Sequence, residues 1–174
     1  SAASDVYKSK KEGGADVVKV EASAAQAPIV AALSQAGVPV CAHFGLRPQR
    51  VGQLGGYRVQ GRGDAAVAQL LEDADALQAA GADLLLVECL DAAVTAQIQA
   101  RIDVPLIGIG AGADCDGQIL VLQDMLGLTA GAVPTFSHNF LADGGSISQA
   151  LSAYVQAVKT RQFPGAEHTF SQHG

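Results

Sequence analysis

Four residues of this chain have the types and placement to do acid–base or anion chemistry: Lys19, Glu21, His43 and Glu88, each in or at the end of a short apolar run. Lys19 and Glu21 stand two apart in Val17-Val18-Lys19-Val20-Glu21. In a strand such residues project to the same side. An ammonium beside a carboxylate suits an anionic substrate held on a divalent cation, with the glutamate giving hard oxygen to the metal. A strand-end ion pair is the structural alternative, and the residues alone leave both open. Glu88 is different, because it follows Leu84-Leu85-Leu86-Val87 and has no cation beside it in sequence. An apolar approach of this kind suits a general base. An unpaired carboxylate there is costly as mere structure, which favours function. His43 ends Val40-Cys41-Ala42-His43, and a packed core imidazole and a pocket residue are equal readings of it.

The elements that must position these residues follow from a repeat. Gly14-Ala15-Asp16-Val17-Val18-Lys19-Val20-Glu21 and Gly81-Ala82-Asp83-Leu84-Leu85-Leu86-Val87-Glu88 share one pattern, in which a Gly-Ala helix exit leads to an apolar run and a terminal glutamate. Such runs read as strands of a parallel sheet covered on both faces, with the glutamates at the C-terminal ends where parallel α/β folds carry their sites. Strands are expected near Asp16–Glu21, Val38–His43, Asp83–Glu88 and Val104–Ile109, with a fifth near Gln118–Leu122. Helices are expected over Ala24–Gln35, with Pro28 in its first turn, from a cap at Asp64 to before Gly81, after a cap at Asp91, and from Ser146 onward. The last is expected to bury Ile147, Leu151, Tyr154, Val155 and Val158. Alternating strands and helices imply parallel strands, in an open doubly wound sheet or in part of a barrel. A full eight-stranded barrel needs about 250 residues, so a barrel reading leaves the first two or three β/α units missing.

Composition narrows the function. The 174 residues, 49% hydrophobic, suggest a single domain over 1–174. A net charge of −6 with no basic stripe argues against nucleic acid. The apolar runs are far shorter than the roughly 20 residues a membrane span needs. Ser1 to Glu12 shows no secretory signal, so a cytoplasmic location is expected. Cys41, Cys89 and Cys115 are too scattered for a zinc or disulfide framework and read as reduced, structural thiols. Gly108-Ile109-Gly110-Ala111-Gly112-Ala113 matches a relaxed dinucleotide fingerprint, but it comes late and lacks the acidic residue that should end the next strand. Close backbone packing around a pocket is the better reading. The glycine-rich stretch Gly55 to Gly63, with Arg58 and Arg62, is a candidate for a closing or anion-binding loop, or for a surface turn.

Several of these motifs occur in order: Lys19-Val20-Glu21, Val38 to Leu46, Gly55 to Arg62, Val87-Glu88-Cys89, Ile107 to Gly112, Asp116-Gly117-Gln118 and Phe163 to Phe170. Together they resemble the ketopantoate hydroxymethyltransferase family. The resemblance implies an α/β fold, a (β/α)8 TIM barrel of the phosphoenolpyruvate/pyruvate class, of which this chain is the C-terminal part. It implies transfer of a hydroxymethyl group from 5,10-methylenetetrahydrofolate to 3-methyl-2-oxobutanoate, giving ketopantoate for pantothenate synthesis through a Mg²⁺-stabilised enolate. By motif, Glu88 is the proton acceptor, Lys19 and His43 bind the substrate, and Glu21 belongs to the metal site. A cytoplasmic homo-oligomer acting on small molecules, without nucleic-acid or membrane partners, is the expected context.

The chain departs from the family pattern at three places. Ala22-Ser23 stands where Gly-Gly is usual, Gln123 where a histidine precedes the aspartate, and Arg58 where a lysine is usual. The family's two metal-binding aspartates and its substrate-binding serine have no match here, and one glutamate is a poor magnesium site. Two other readings therefore stand beside this one. One is another metal-dependent keto-acid lyase or carboligase of the same barrel class, and the other is an inactive barrel fragment acting as an assembly subunit.

Overall fold

In the computed structural model, residues 12–48 and 58–171, together with residue 8, are described. The repeat forms the strands it suggested. Five strands make one sheet: β1 (Val18–Glu21), β2 (Val40–Gly45), β3 (Leu84–Glu88), β4 (Leu106–Ile109) and β5 (Gly117–Gln118). Every neighbouring pair is parallel, and the spatial order is β1-β2-β3-β4-β5. A doubly wound sheet reverses its strand order at a switch point. The described strands contain no such reversal.

Helices α1 (Ala27–Gln35), α2 (Asp64–Ala79) and α3 (Ala92–Gln99) connect β1 to β2, β2 to β3 and β3 to β4. Pro28 lies in the first turn of α1, where its missing N–H costs nothing. Asp91 caps α3, its carboxylate accepting from the Ala93 N–H at 2.9 Å. Asp64 is the first helical residue of α2 and not its cap; Gly63 takes the cap position. Gly81 ends the α2 connection with φ of 91°, and a Cβ there would come within 2.5 Å of the Ser34 hydroxyl oxygen. The position thus combines a left-handed backbone with a close approach to α1, and both require glycine.

Register divides the sheet into two faces. Glu21 pairs with His43, His43 with Leu86, and Glu88 with Gly45 and Ile109. Paired residues of parallel strands share a face, so Lys19, Glu21, His43, Leu86, Glu88 and Ile109 all point one way. The other face carries Val18, Val40, Phe44, Leu85, Val87 and Leu106, packed on Val30 and Leu33 of α1, Leu70 and Leu77 of α2, and Val94 and Ile98 of α3. Leu85, Phe44, Leu77 and Leu106 are fully buried. Helices cover one face, and the chemistry-bearing side chains lie on the other.

Two elements differ from expectation. The fifth strand is only Gly117–Gln118, and Ile119, Val121 and Leu122 leave the sheet, with a short helix α4 (Leu122–Met125) following. The terminal helix α5 (Ile147–Lys159) starts at its expected Ser146 cap, where Ser146 Oγ accepts from the Gln149 N–H. Its covered side, however, is Ala150, Tyr154, Ala157 and Val158 against Met125, Leu126, Phe140 and Phe163, while Ile147, Leu151 and Val155 are exposed. The reason is local. The Tyr154 hydroxyl donates to the Gln118 carbonyl at 2.7 Å, which fixes the face that α5 turns toward β5. Its ring also meets Phe140 and Phe163 edge-on. No helix among the described residues is long and apolar enough to cross a membrane.

Candidate active site

A cavity of about 710 Å³ opens over the polar face of the sheet, in the range of small-molecule sites. Lys19 of β1, His43 of β2 and Glu88 of β3 line it together. The Lys19 ammonium donates to His43 Nδ1 at 3.3 Å. An ammonium has no acceptor, so Nδ1 must accept and the ring proton sits on Nε2. Nε2 lies 3.1 Å from Glu88 Oε2. The carboxylate is off the N–H direction, so this buried nitrogen makes no hydrogen bond despite the short distance. His43 is 1% exposed and Glu88 9%. A buried donor left unmatched is costly, and an acceptor oxygen reaching it from the cavity would satisfy it.

This geometry revises one expectation. Glu88 is not without a polar neighbour; it faces His43, which stands 45 positions earlier in the chain but in the adjacent strand. The rest of its surroundings are apolar as the sequence suggested, with Leu86 and Ile109 on the same face. Cys89 also lines the cavity, and burial, followed by the adjacent Glu88 charge, pushes its thiol up to about 11. Burial likewise raises the Cys41 thiol to about 11, against a smaller lowering by Lys19. Neither is a thiolate near neutral pH, in keeping with structural roles. Cys41, Cys89 and Cys115 are all free.

Glu21 does not line the cavity, although it shares its sheet face. It is half-buried and has no hydrogen bond or ion pair to a described residue, which leaves its carboxylate open to an external ligand. Among the described residues no group of three His, Cys, Asp or Glu could hold a metal ion. Glu21 therefore fits one coordination position, and the described residues do not form an octahedral magnesium site.

The departures from the family pattern are absorbed locally. Ala22 is fully buried, and its N–H donates to the His43 carbonyl at 2.9 Å. Ser23 has φ of −137°, an extended conformation open to any residue, and its hydroxyl donates to Gln26 Oε1 at 2.7 Å. Gln123 is exposed on α4. Arg58 is exposed and does not line the cavity, while Gly55, Gly56 and Tyr57 of the glycine-rich loop lie outside the described residues. The late glycine motif packs closely, as expected. A Cβ on Gly110, whose φ is 61°, would come within 2.5 Å of the Phe136 ring. That ring forms part of the cavity wall.

One polar cavity residue, the aspartate after Gln123, has no role assigned from the sequence. Asp124 of α4 lines the cavity at 6% exposure, and the Thr129 hydroxyl donates to its Oδ1. Its signal was a lone acid within Val121-Leu122-Gln123-Asp124-Met125-Leu126, an apolar stretch that otherwise has no reason to hold a charge.

Fold and site together define a class: a parallel α/β protein with a lysine, a histidine and a glutamate converging at strand C-terminal ends, in the arrangement of a small-molecule enzyme site. Comparison with known proteins makes the class specific. The sequence profile of ketopantoate hydroxymethyltransferase matches residues 1–166. Proteins named 3-methyl-2-oxobutanoate hydroxymethyltransferase from Alkalilimnicola ehrlichii and Halorhodospira halophila are 58% and 54% identical to this chain, over 94% and 92% of it. One of the same name from Methylobacillus flagellatus is 55% identical over 90% of the chain. The chain belongs to the ketopantoate hydroxymethyltransferase family. It spans about 60% of the length of these relatives, covering 59%, 58% and 60% of each.

Proposed function

We propose that the complete protein carrying this chain transfers a hydroxymethyl group from 5,10-methylenetetrahydrofolate to 3-methyl-2-oxobutanoate, forming ketopantoate for pantothenate synthesis. The observation that carries this reading is the line Lys19–His43–Glu88 across three adjacent strands, inside a cavity that also has apolar walls. The names of the relatives support the same reaction.

Each residue has a distinct task in this reading. Lys19 supplies positive charge for the keto acid and for the negative charge that develops on its keto oxygen. Glu88 takes the proton from the carbon beside the ketone, a step for which a positioned base typically contributes about 10²–10⁴-fold. His43 is held by Lys19 as an Nε2–H donor and presents that proton to an oxygen next to Glu88. The deprotonated carbon then forms the new bond to the folate-borne carbon; both carbon–nitrogen bonds to the folate break, water supplies the hydroxyl oxygen, and the two freed nitrogens of tetrahydrofolate take one proton from the keto acid and one from water. No covalent bond to the protein is needed. Mg²⁺ is the cation implied for this chemistry, and Glu21 is the residue of this chain proposed to reach it; because the described residues do not complete its site, no step is assigned to the metal.

Sequential parallel strands, each followed by a helix over most of the sheet, support membership of an eight-stranded barrel. A cytoplasmic homo-oligomer is part of the same proposal. The test of function is direct. The complete protein, given both substrates and Mg²⁺, is expected to yield ketopantoate and tetrahydrofolate in equal amounts by mass spectrometry. Turnover of a different keto acid with no ketopantoate would assign the site to another lyase or carboligase.

A further inference from the structure

We propose that Asp124 is the recognition carboxylate for the pterin ring of the folate, a role distinct from the acid–base work at Glu88; this rests on the function proposed above and deepens it. The cavity holds two kinds of polar wall. One is the Lys19–His43–Glu88 line on the sheet. The other is Asp124, carried by a segment outside the sheet and linked by hydrogen bonding to Thr129 on the same segment. A cavity of about 710 Å³ is far larger than a small branched keto acid requires and has the capacity of a site for a drug-sized ligand. The cavity thus has room for a second ligand beside the keto acid.

The chemistry of the second wall is selective. Asp124 is 94% buried by its 6% exposure, and only Oδ1 has a hydrogen-bond partner among the described residues. No lysine, arginine or histidine pairs with it there. A buried carboxylate without a cation needs donors, and an ionised carboxylate can only accept. Among the described residues its second oxygen is thus left to accept from a donor-bearing ligand. In the same cavity, Ile119, Val121, Pro134 and Phe136 give apolar and aromatic surface suited to a flat ring. The ligand that answers both demands is a planar heterocycle with two adjacent N–H donors. A pterin has them at N3 and at its 2-amino group, spaced to meet the two oxygens of one carboxylate, as the parallel donors of a guanidinium do. Oδ1 retains a second lone pair for this after accepting from Thr129.

The two half-reactions separate this proposal from the function it rests on. Exchange of the keto-acid proton with solvent needs Glu88 and no folate, whereas transfer needs both. Asp124→Asn in the complete protein replaces one acceptor by a donor with little change of shape. We expect its KM for 5,10-methylenetetrahydrofolate to rise about 10- to 100-fold, the equivalent of about 1.4–2.8 kcal/mol, with proton exchange within twofold of wild type. Calorimetric titration with tetrahydrofolate should show the same loss. An unchanged folate KM would overturn the proposal, and an equal fall in exchange would assign Asp124 to structure. If Asp124→Asn does not fold, Thr129→Val is the second variant. It keeps the carboxylate but removes its tether, and should raise folate KM several-fold without changing exchange; no change in folate KM there overturns the proposal. A wild-type protein with neither exchange nor transfer would fail the function itself, a different result from any of these.

Discussion

The two copies of Gly-Ala-Asp-apolar-Glu begin alike and end in different surroundings. The β3 copy lies between β2 and β4, its Leu85 and Val87 are fully buried, and its glutamate contacts His43 across the sheet. Among the described strands the β1 copy has only β2 beside it; Lys19 is exposed and Glu21 half-buried without a partner. The same strand-end carboxylate is thus a desolvated group facing an imidazole in one place and an open, unpartnered carboxylate among the described residues in the other. Position in the sheet, more than the local pattern, assigns the task.

Packing should show the contrast first. Leu85→Ala removes a fully buried side chain from the middle of the sheet and should cost about 2–5 kcal/mol. Val18→Ala in the β1 copy removes two methyl groups and should cost about 1.6 kcal/mol, at about 0.8 for each carbon. Urea midpoints for the two variants test this, and equal losses would break the distinction between the strands.

The glycines that open the copies sharpen it at smaller scale. Gly14 has φ of 66° and nothing within 4 Å of a would-be Cβ, whereas Gly81 has φ of 91° and meets Ser34. Alanine at either position should cost roughly 1–2 kcal/mol for the left-handed backbone alone. Thermal unfolding should place Gly81→Ala below Gly14→Ala by the added cost of displacing Ser34.

Much of this was legible in the sequence because the repeat names its own strands. Gly-Ala exits and terminal glutamates placed β1 and β3, and apolar runs placed β2 and β4, all within about two residues, and with them the strand-end positions of Glu21 and Glu88; His43, expected at the end of its strand, lies two residues inside it because β2 continues to Gly45. The contact between His43 and Glu88 was not legible. It depends on the pairing of Gly45 with Glu88, and register is a property of two strands together. The fifth strand was overextended because Ile119 and Val121 look like strand residues, yet they line the cavity. On α5 the apolar positions make two adjacent stripes, and periodicity alone does not select the one that Tyr154 turns inward. Asp124 has no role legible in the sequence because the other polar residues of the cavity, Lys19, His43 and Glu88, come from distant segments.

The central claim is that Glu88 is the base and Glu21 a cation ligand. Solvent-deuterium exchange at the carbon beside the ketone of 3-methyl-2-oxobutanoate tests it, measured in the complete protein for Glu88→Gln and Glu21→Gln across a Mg²⁺ titration. The account predicts that Glu88→Gln still binds the keto acid but exchanges about 10²–10⁴-fold more slowly at every Mg²⁺ concentration, while Glu21→Gln recovers as Mg²⁺ is raised. Wild-type exchange in Glu88→Gln, or its recovery by added Mg²⁺, would contradict the account.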